Sequence, residues 1–351
     1  MKASVFCDNR VMVRMIVVAA FVLAAGCKQR PAEDTGATPG KSGAMGQSGD
    51  MGSAMGTTMQ DAATPAPLAV DAAPAPKTGD DIAKRYEECI RLSNEARWDE
   101  YQTCYAGDVM FEAPGLDAPR SIAVEIEATK QARVEFPDYR QEPQLVMVSG
   151  NTVIAILLIT ATSTKTKKPI GFYLGHVAGT DPQGKFTRDI AFWDAKTVEA
   201  QRTGKPGLRG IAKPFATKIG LISKADDTEN KNLETFTSMM EASEKRDLVT
   251  FGNAIADDVV WSVQNRPKDL TKAEILAGIK ARLEKTDLHY KLDHAWAAGE
   301  YVASIETVSG TASADSPDKK IKRGDKIERQ LLAIHRFANG KLVQVWVFAQ
   351  G

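Results

Sequence analysis

Apolar positions recur at helical spacing over residues 81–96, at Ile82, Tyr86, Cys89 and Ile90, and predict an amphipathic helix there. A second short helix is expected over 98–105, after which Asp108, Val109, Met110 and Phe111 open a strand. The same pattern returns further along. Residues 233–244 and 248–255 read as a helix pair, and Asp258, Val259, Val260 and Trp261 open a strand 150 residues after its counterpart. Amphipathic helices follow at 122–134 and 272–283, the second with Ile275, Ile279 and Leu283 on one stripe. Strands are then expected at 145–148 and 152–162 around Ser149–Gly150–Asn151, and at 290–296 and 301–309 around Gly299–Glu300. Both breaks carry hairpin-turn residues. One further strand in each copy holds a histidine, His176 within 172–178 and His335 within 329–337. The last strands start at Gly184–Lys185–Phe186 and Gly340–Lys341–Leu342 and lead to Trp193 and Trp346. Helices first and hairpin-linked strands afterwards define an α+β order, written twice.

Ahead of residue 81 the periodicity vanishes. Residues 28–80 are rich in Gly, Ala, Ser, Pro, Thr and Met and hold no aromatic side chain. Such a stretch buries too little apolar surface to offset its conformational entropy and is expected to be a flexible tether. Before it, Arg10 and Arg14 precede an apolar run from Met15 to Ala25, too short to span a bilayer and of the length of a secretory signal. The run ends in Leu23–Ala24–Ala25–Gly26–Cys27, which resembles the bacterial lipobox and marks Cys27 for lipid attachment, with residues 1–26 removed. Met12 and Met15 are alternative starts to Met1. Lys28, where a retention signal would place Asp, leans towards the outer membrane over the inner. The expectation is a cell-envelope protein held to the membrane by its acyl chains.

Composition narrows the function classes. The chain has 351 residues, 43% hydrophobic and 26% charged, enough for two ordinary domains. Lys plus Arg equal Asp plus Glu at 45 each, so no basic excess points to nucleic acid. The basic run Lys165–Thr166–Lys167–Lys168 reads as a solvated turn. No zinc-type Cys/His spacing, phosphate-binding glycine loop or Ser/His/Asp pattern occurs, and no metal or cofactor is expected.

Several features together carry a family resemblance: helix pairs ending in Asp-Val-x-aromatic, the break Phe136–Pro137–Asp138–Tyr139, and Gly-Lys turns into a late tryptophan-bearing strand. In order and spacing, 81–203 and 227–351 each resemble the nuclear transport factor 2-like superfamily in its SnoaL-like, polyketide-cyclase branch. The resemblance implies two cone-shaped domains, each a curved antiparallel sheet wrapped around helices and enclosing a pocket. Residues 204–226, with Gly204, Pro206, Gly207, Gly210 and Pro214, read as the linker. The two copies are expected either to pair within one chain or to form a homodimer.

The resemblance implies a pocket carboxylate as general acid/base, as in family cyclases and isomerases, and in the cyclases an Asp on a late strand. That makes Asp189 and Asp194 the candidates in the first copy. Alternation puts Asp189 with Trp193 on one face and Asp194 with Ile190 and Phe192 on the other. His176, on the face of Phe172 and Leu174, is the expected proton-transfer partner. Glu112 is a candidate polar pocket residue. Aligned on the Gly-Lys turns, Val345 replaces Asp189 and Gln350 replaces Asp194, so the second copy lacks the acid. Tyr290, Leu292, His294 and Trp296 on one strand face, with His335 and Trp346, instead suggest an aromatic cavity for ligand binding. Cys89 and Cys104 fall on two neighbouring helices and form either a disulfide or a buried thiol pair. Two functions remain open: a module binding a small apolar ligand or a protein without catalysis, and a cyclase or isomerase active in the first copy alone.

Overall fold

The computed structural model describes residues 77–113, 118–205, 209–285, 287–312, 315 and 322–349. The expected signal segment, Cys27, Gln350 and most of the expected tether lie outside the described residues. Among those described, no helix is long and apolar enough to cross a membrane.

The first half runs α1 (Gly79–Asn94), α2 (Trp98–Gln102), β1 (Tyr105–Glu112), β2 (Arg120–Ser121), α3 (Ile122–Glu135), β3 (Arg140–Ser149), β4 (Thr152–Thr162), β5 (Pro169–Thr180) and β6 (Phe186–Phe192). After α4 (Ala195–Thr203) and β7 (Ile219–Ile222) the order repeats. The second half has α5 (Asp227–Glu244), α6 (Leu248–Asn253), β8 (Ile255–Val263), α7 (Lys272–Lys285), β9 (His289–Ala298), β10 (Tyr301–Thr311), β11 (Lys326–Ala338) and β12 (Lys341–Ala349). Two mixed sheets result, β2-β1-β6-β5-β4-β3-β7 and β8-β12-β11-β10-β9. In both, the hairpin strands pair antiparallel, and the strand after the helix pair lies parallel to the last one, β1 on β6 and β8 on β12.

Local chemistry explains the helix ends. Thr78 and Asp81 cap α1 reciprocally, the hydroxyl accepting from the Asp81 N–H and the carboxylate from the Thr78 N–H. Its apolar stripe, Ile82, Tyr86, Cys89 and Ile90, is buried. At the joint to α2, Ala96 has φ 56°, and Arg246 at the joint of α5 and α6 has φ 60°. Ala96 and Arg97 donate back to the Ser93 and Leu92 carbonyls, and Arg246 and Asp247 repeat this with Ser243 and Ala242. A left-handed residue thus closes the first helix of both pairs.

The second helix stops short of the expected residue 105. Thr103 and Cys104 donate back to the Glu100 and Tyr101 carbonyls, and the Cys104 carbonyl accepts from Phe186, drawing Tyr105 into β1. Cys104 therefore sits between helix and strand, where a disulfide joins it to Cys89 with Cα atoms 6.1 Å apart.

The described residues pack in three main layers. The inner face of the first sheet closes on α1 and α3, through Val146, Leu157, Phe172, Leu174 and Ala191. The inner face of the second closes on α5, α6 and α7 through Phe236, Phe251, Ile275, Val302 and Phe337. Between the sheets lies a third core: Leu145, Met147, Ile156, Ile190 and Phe192 meet Ile305, Leu332, Ile334, Trp346 and Phe348. Approach there is close. A Cβ on Gly175 would stand 2.7 Å from Leu332 and 2.8 Å from Phe348.

The expected linker proves to be a strap. Ala212 donates to the Gly171 carbonyl, and Phe215 donates to the Gln144 side chain at 2.6 Å. The Phe215 ring stacks on Trp346 with centroids 5.5 Å apart. Ile219–Ile222 then adds to the free edge of β3 as a parallel strand, with Ile219 and Leu221 on the core between the sheets. An apolar run of four beside an unpaired edge gains both ladder bonds and burial, which outweighs the Gly and Pro content around it.

Candidate functional site

Between the inner face of the first sheet and its helices, here called the first cup, lies a cavity of about 40 Å³. That admits a few waters or a compact ligand. Three secondary elements bring its polar core together. Antiparallel pairing sets His176 on β5 and Asp189 on β6 on the inward face, and α1 lays Tyr86 over them. His176 Nε2 lies 2.6 Å from Asp189 Oδ1, and Nδ1 lies 2.7 Å from the Tyr86 hydroxyl. Tyr105 donates to Asp189 Oδ2 at 3.4 Å, and its hydroxyl is 2.7 Å from that of Tyr101. A neutral His176 with its proton on Nε2 satisfies every contact: Tyr86 donates to Nδ1, Nε2 donates to Asp189, and Tyr101 donates through Tyr105 to the other carboxylate oxygen. Burial pushes the Tyr86, Tyr101 and Tyr105 hydroxyls well above their usual pKa, so they remain donors. All these donors converge on one carboxylate that borders the cavity.

A second carboxyl lines the same cavity. Glu125, on the inner face of α3 with Ile122, Ile126 and Ala132, is 2% exposed. Among the described residues its carboxyl oxygens meet no donor beyond a weak contact with the Thr129 hydroxyl. Thr129, one turn on, donates to the Glu125 main-chain carbonyl at 3.0 Å. Desolvation first, and the nearby Asp189 charge second, push the Glu125 carboxyl well above the carboxylate range, against a weaker opposing pull from the Arg120 charge and the Thr129 hydroxyl. The walls are Phe111, Leu157, Leu174, Phe186 and Trp193 with the tyrosines. Among the described lining residues there is no Lys or Arg.

The other expected residues divide. Alternation holds through β6, so Asp189 and Ala191 face the cavity, with Trp193 beyond the strand end, whereas Ile190 and Phe192 face the second sheet. Asp194 is not in the cavity. It caps α4, accepting from the Lys196 and Thr197 N–H groups at 2.9 and 3.3 Å. The reason is that the strand ends at Phe192 and the chain turns into a helix, where a carboxylate neutralises free N–H groups. Glu112 borders the cavity at its exposed rim, 3.4 Å from Arg188.

In the second half the expected aromatic set is not brought together. Ile305 of β10 pairs with His294 while Glu306 pairs with Leu292, so Asp293 is an extra residue in β9. This bulge reverses the alternation. Tyr290 and Leu292 pack with residues of the inner face, whereas Trp296 packs in the core between the sheets and stacks on the exposed His294 at 5.5 Å. Trp346 also lies between the sheets, stacked with Phe215 and Tyr301. His335 does face inward, on Phe236 with ring centroids 4.7 Å apart, with Nδ1 3.2 Å from the Val302 carbonyl. Desolvation lowers its pKa to about 4, so it is a neutral core side chain. Val345 occupies the place of Asp189 and is fully buried.

Three tyrosines and Glu125 escaped the sequence reading as site residues. Tyr86 stood out only as part of an apolar stripe. For Glu125 a signal existed: an acid at the buried spacing of Ile122, Ile126 and Thr129 breaks an otherwise apolar helix face. Among the described residues no cluster of three His, Cys, Asp or Glu is placed to hold a metal ion.

Residues 236–345 match the family model of the SnoaL-like domain, so the second half contains such a domain. No curated protein matches the chain. Similar solved structures include IdmH from Streptomyces antibioticus, at 20% identity over 34% of this chain and 91% of that one, with a TM-score of 0.31. A SnoaL-like polyketide cyclase from Agrobacterium tumefaciens is 11% identical over 34% of this chain and 90% of its own, with a TM-score of 0.30. An LEH-like epoxide hydrolase from M. tuberculosis is 11% identical over 34% and 84%, with a TM-score of 0.30.

Proposed function

We propose that the protein is an envelope-tethered pair of SnoaL-like domains, residues 81–203 and 227–351, whose first cup moves protons on a small ligand while the second has no such chemistry. The buried 2.6 Å contact of His176 with Asp189 at the wall of a cavity carries this reading. A carboxylate held by hydrogen-bond donors at the edge of an apolar-walled cavity is placed to take a proton from a bound C–H or O–H acid. His176 and Tyr105 hold the carboxylate in place. A cyclase or isomerase needs such a group to remove a proton at one atom and return it at another. In the second half Val345 ends that possibility, and its strands support the first sheet from behind.

The test uses the full chain and a panel of small ketones, with and without an amino group, in deuterated water. Proton NMR reads the exchange of hydrogens beside the carbonyl. The wild type is expected to accelerate exchange, and Asp189→Asn to lose about 10²–10⁴-fold of the acceleration. Equal rates for the two proteins across the panel would reject proton transfer.

A second reading, ligand binding without turnover, draws support from the engagement of both His176 nitrogens by Tyr86 and Asp189. Native mass spectrometry of the protein purified from its host distinguishes it: a retained small molecule together with no exchange activity.

Anchoring is supported by the motif ending in Cys27 and by the tether composition, and the Cys89–Cys104 disulfide suits an oxidising compartment. Cys27→Ser is expected to move the protein from the membrane fraction, by preference the outer membrane, to the soluble one.

A further inference from the structure

We propose that the first cup receives a small organic ammonium ion, held by Glu125 and Asp189 inside aromatic walls. Glu125 is 2% exposed, and among the described residues its carboxyl meets no donor beyond a weak contact with the Thr129 hydroxyl. A buried carboxyl so placed is costly to ionise and loses hydrogen bonds when neutral. The surroundings offset this only in part: Ile122 and Ile126 flank it on α3, Thr129 donates to its main chain, and the Arg120 charge and the Thr129 hydroxyl act on the carboxyl more weakly than burial does. A group so placed is complete only when a ligand supplies donors.

The rest of the lining selects the ligand's charge. Asp189 borders the same cavity, and no Lys or Arg is among the described residues that line it. An anionic ligand would meet two carboxyl groups in the lining, with the Arg120 charge outside it. A neutral alcohol would satisfy one acceptor and leave the others bare. An ammonium carries several N–H donors, enough for both Glu125 oxygens and for the open side of Asp189. The walls agree with this. Tyr101, Tyr105 and Trp193 line the cavity, and a desolvated cation over aromatic rings gains further attraction. Without a ligand the Glu125 carboxyl is held in its neutral form by burial and by Asp189. When the ammonium arrives, Glu125 releases its proton to solvent and the ligand keeps its own.

The requirement for N–H donors separates this from a simple aromatic box. A protonated primary amine fits; a quaternary ammonium, which has no N–H, leaves the carboxyl oxygens unpaired. The small cavity restricts the carbon part to a few atoms.

Isothermal titration of the full chain with propylammonium, tetramethylammonium, propanol and propionate tests this. Saturable heat is expected for propylammonium, with none for propionate and about tenfold or more weaker binding for the other two. Repeating the propylammonium titration in buffers of different ionisation enthalpy should show proton release. Glu125→Gln should weaken propylammonium by about tenfold or more and abolish the released proton. Should that variant fail to fold by circular dichroism, the wild-type ligand series and proton count decide alone. Absence of saturable propylammonium heat, equal affinity for propanol, or tetramethylammonium binding as tightly as propylammonium would each overturn the proposal. It stands apart from proton transfer: ammonium binding with no ketone exchange upholds it and removes that reading, and exchange without ammonium binding does the reverse.

Discussion

His335 lies two residues further along its strand than His176 does along its own. In the first sheet His176 pairs with Ala191 and Ala178 with Asp189; in the second, Ala333 pairs with Val347 and His335 with Val345. The counterpart of His176 is therefore Ala333, and the counterpart of His335 is Ala178. Both histidines face inward, yet only one meets an acid. The shared histidine of the two patterns is a coincidence of spacing, and each has its own consequence.

For His335 the consequence is a pH-dependent stability. Its pKa falls from 6.5 to about 4 on folding. Between those values the unfolded chain binds a proton that the folded chain does not, so stability is complete above about 6.5 and declines as pH drops towards 4. The loss approaches about 3 kcal/mol at most. Urea unfolding at a series of pH values should show this slope in the wild type and a shallower one in His335→Phe.

Asp189 and Asp194 should separate cleanly on mutation. Asp194→Ala removes a helix cap and should cost about 1 kcal/mol in unfolding free energy while leaving ketone exchange near the wild-type rate. Asp189→Asn should lose about 10²–10⁴-fold of the exchange acceleration. If Asp194→Ala lost exchange in a folded protein, the assignment of Asp189 would fall.

Gly175→Ala probes the contact between the sheets. The added Cβ meets Leu332 and Phe348 well inside van der Waals distance. Destabilisation of about 1–3 kcal/mol is expected in denaturant titration. Ala substitution at Gly107, where a Cβ meets nothing within 4 Å, provides the comparison.

Removing the Cys89–Cys104 link by double Ala substitution should lower stability by about 2–4 kcal/mol, since the link closes a loop of 15 residues in the unfolded chain. A reducing agent should produce the same shift in the wild type and none in the double variant.

Much of the element order was legible because burial imposes period on the sequence. Ile82, Tyr86, Cys89 and Ile90 could only be one face of a helix, and the Gly150 and Gly299 turns fixed the hairpins. That His176 and Asp189 share one face followed from alternation once the inward face was known. What alternation cannot carry is a single extra residue. Asp293 in β9 inverts the faces of His294 and Trp296 while leaving the local pattern unchanged. Nor does composition reveal context. The Gly and Pro around Ile219–Ile222 spell a loop, and only the open edge of β3 makes a strand of it. Asp194 reads as an acid near a site because nothing in the residue itself distinguishes a cap from a catalyst.

The contact between the two sheets belongs to one chain, which makes it independent of dilution. A surface that would otherwise require a second molecule stays covered however few copies are present. Substitutions that loosen the second half should thus be felt in the first cup through the backs of β5 and β6, the strands that carry His176 and Asp189.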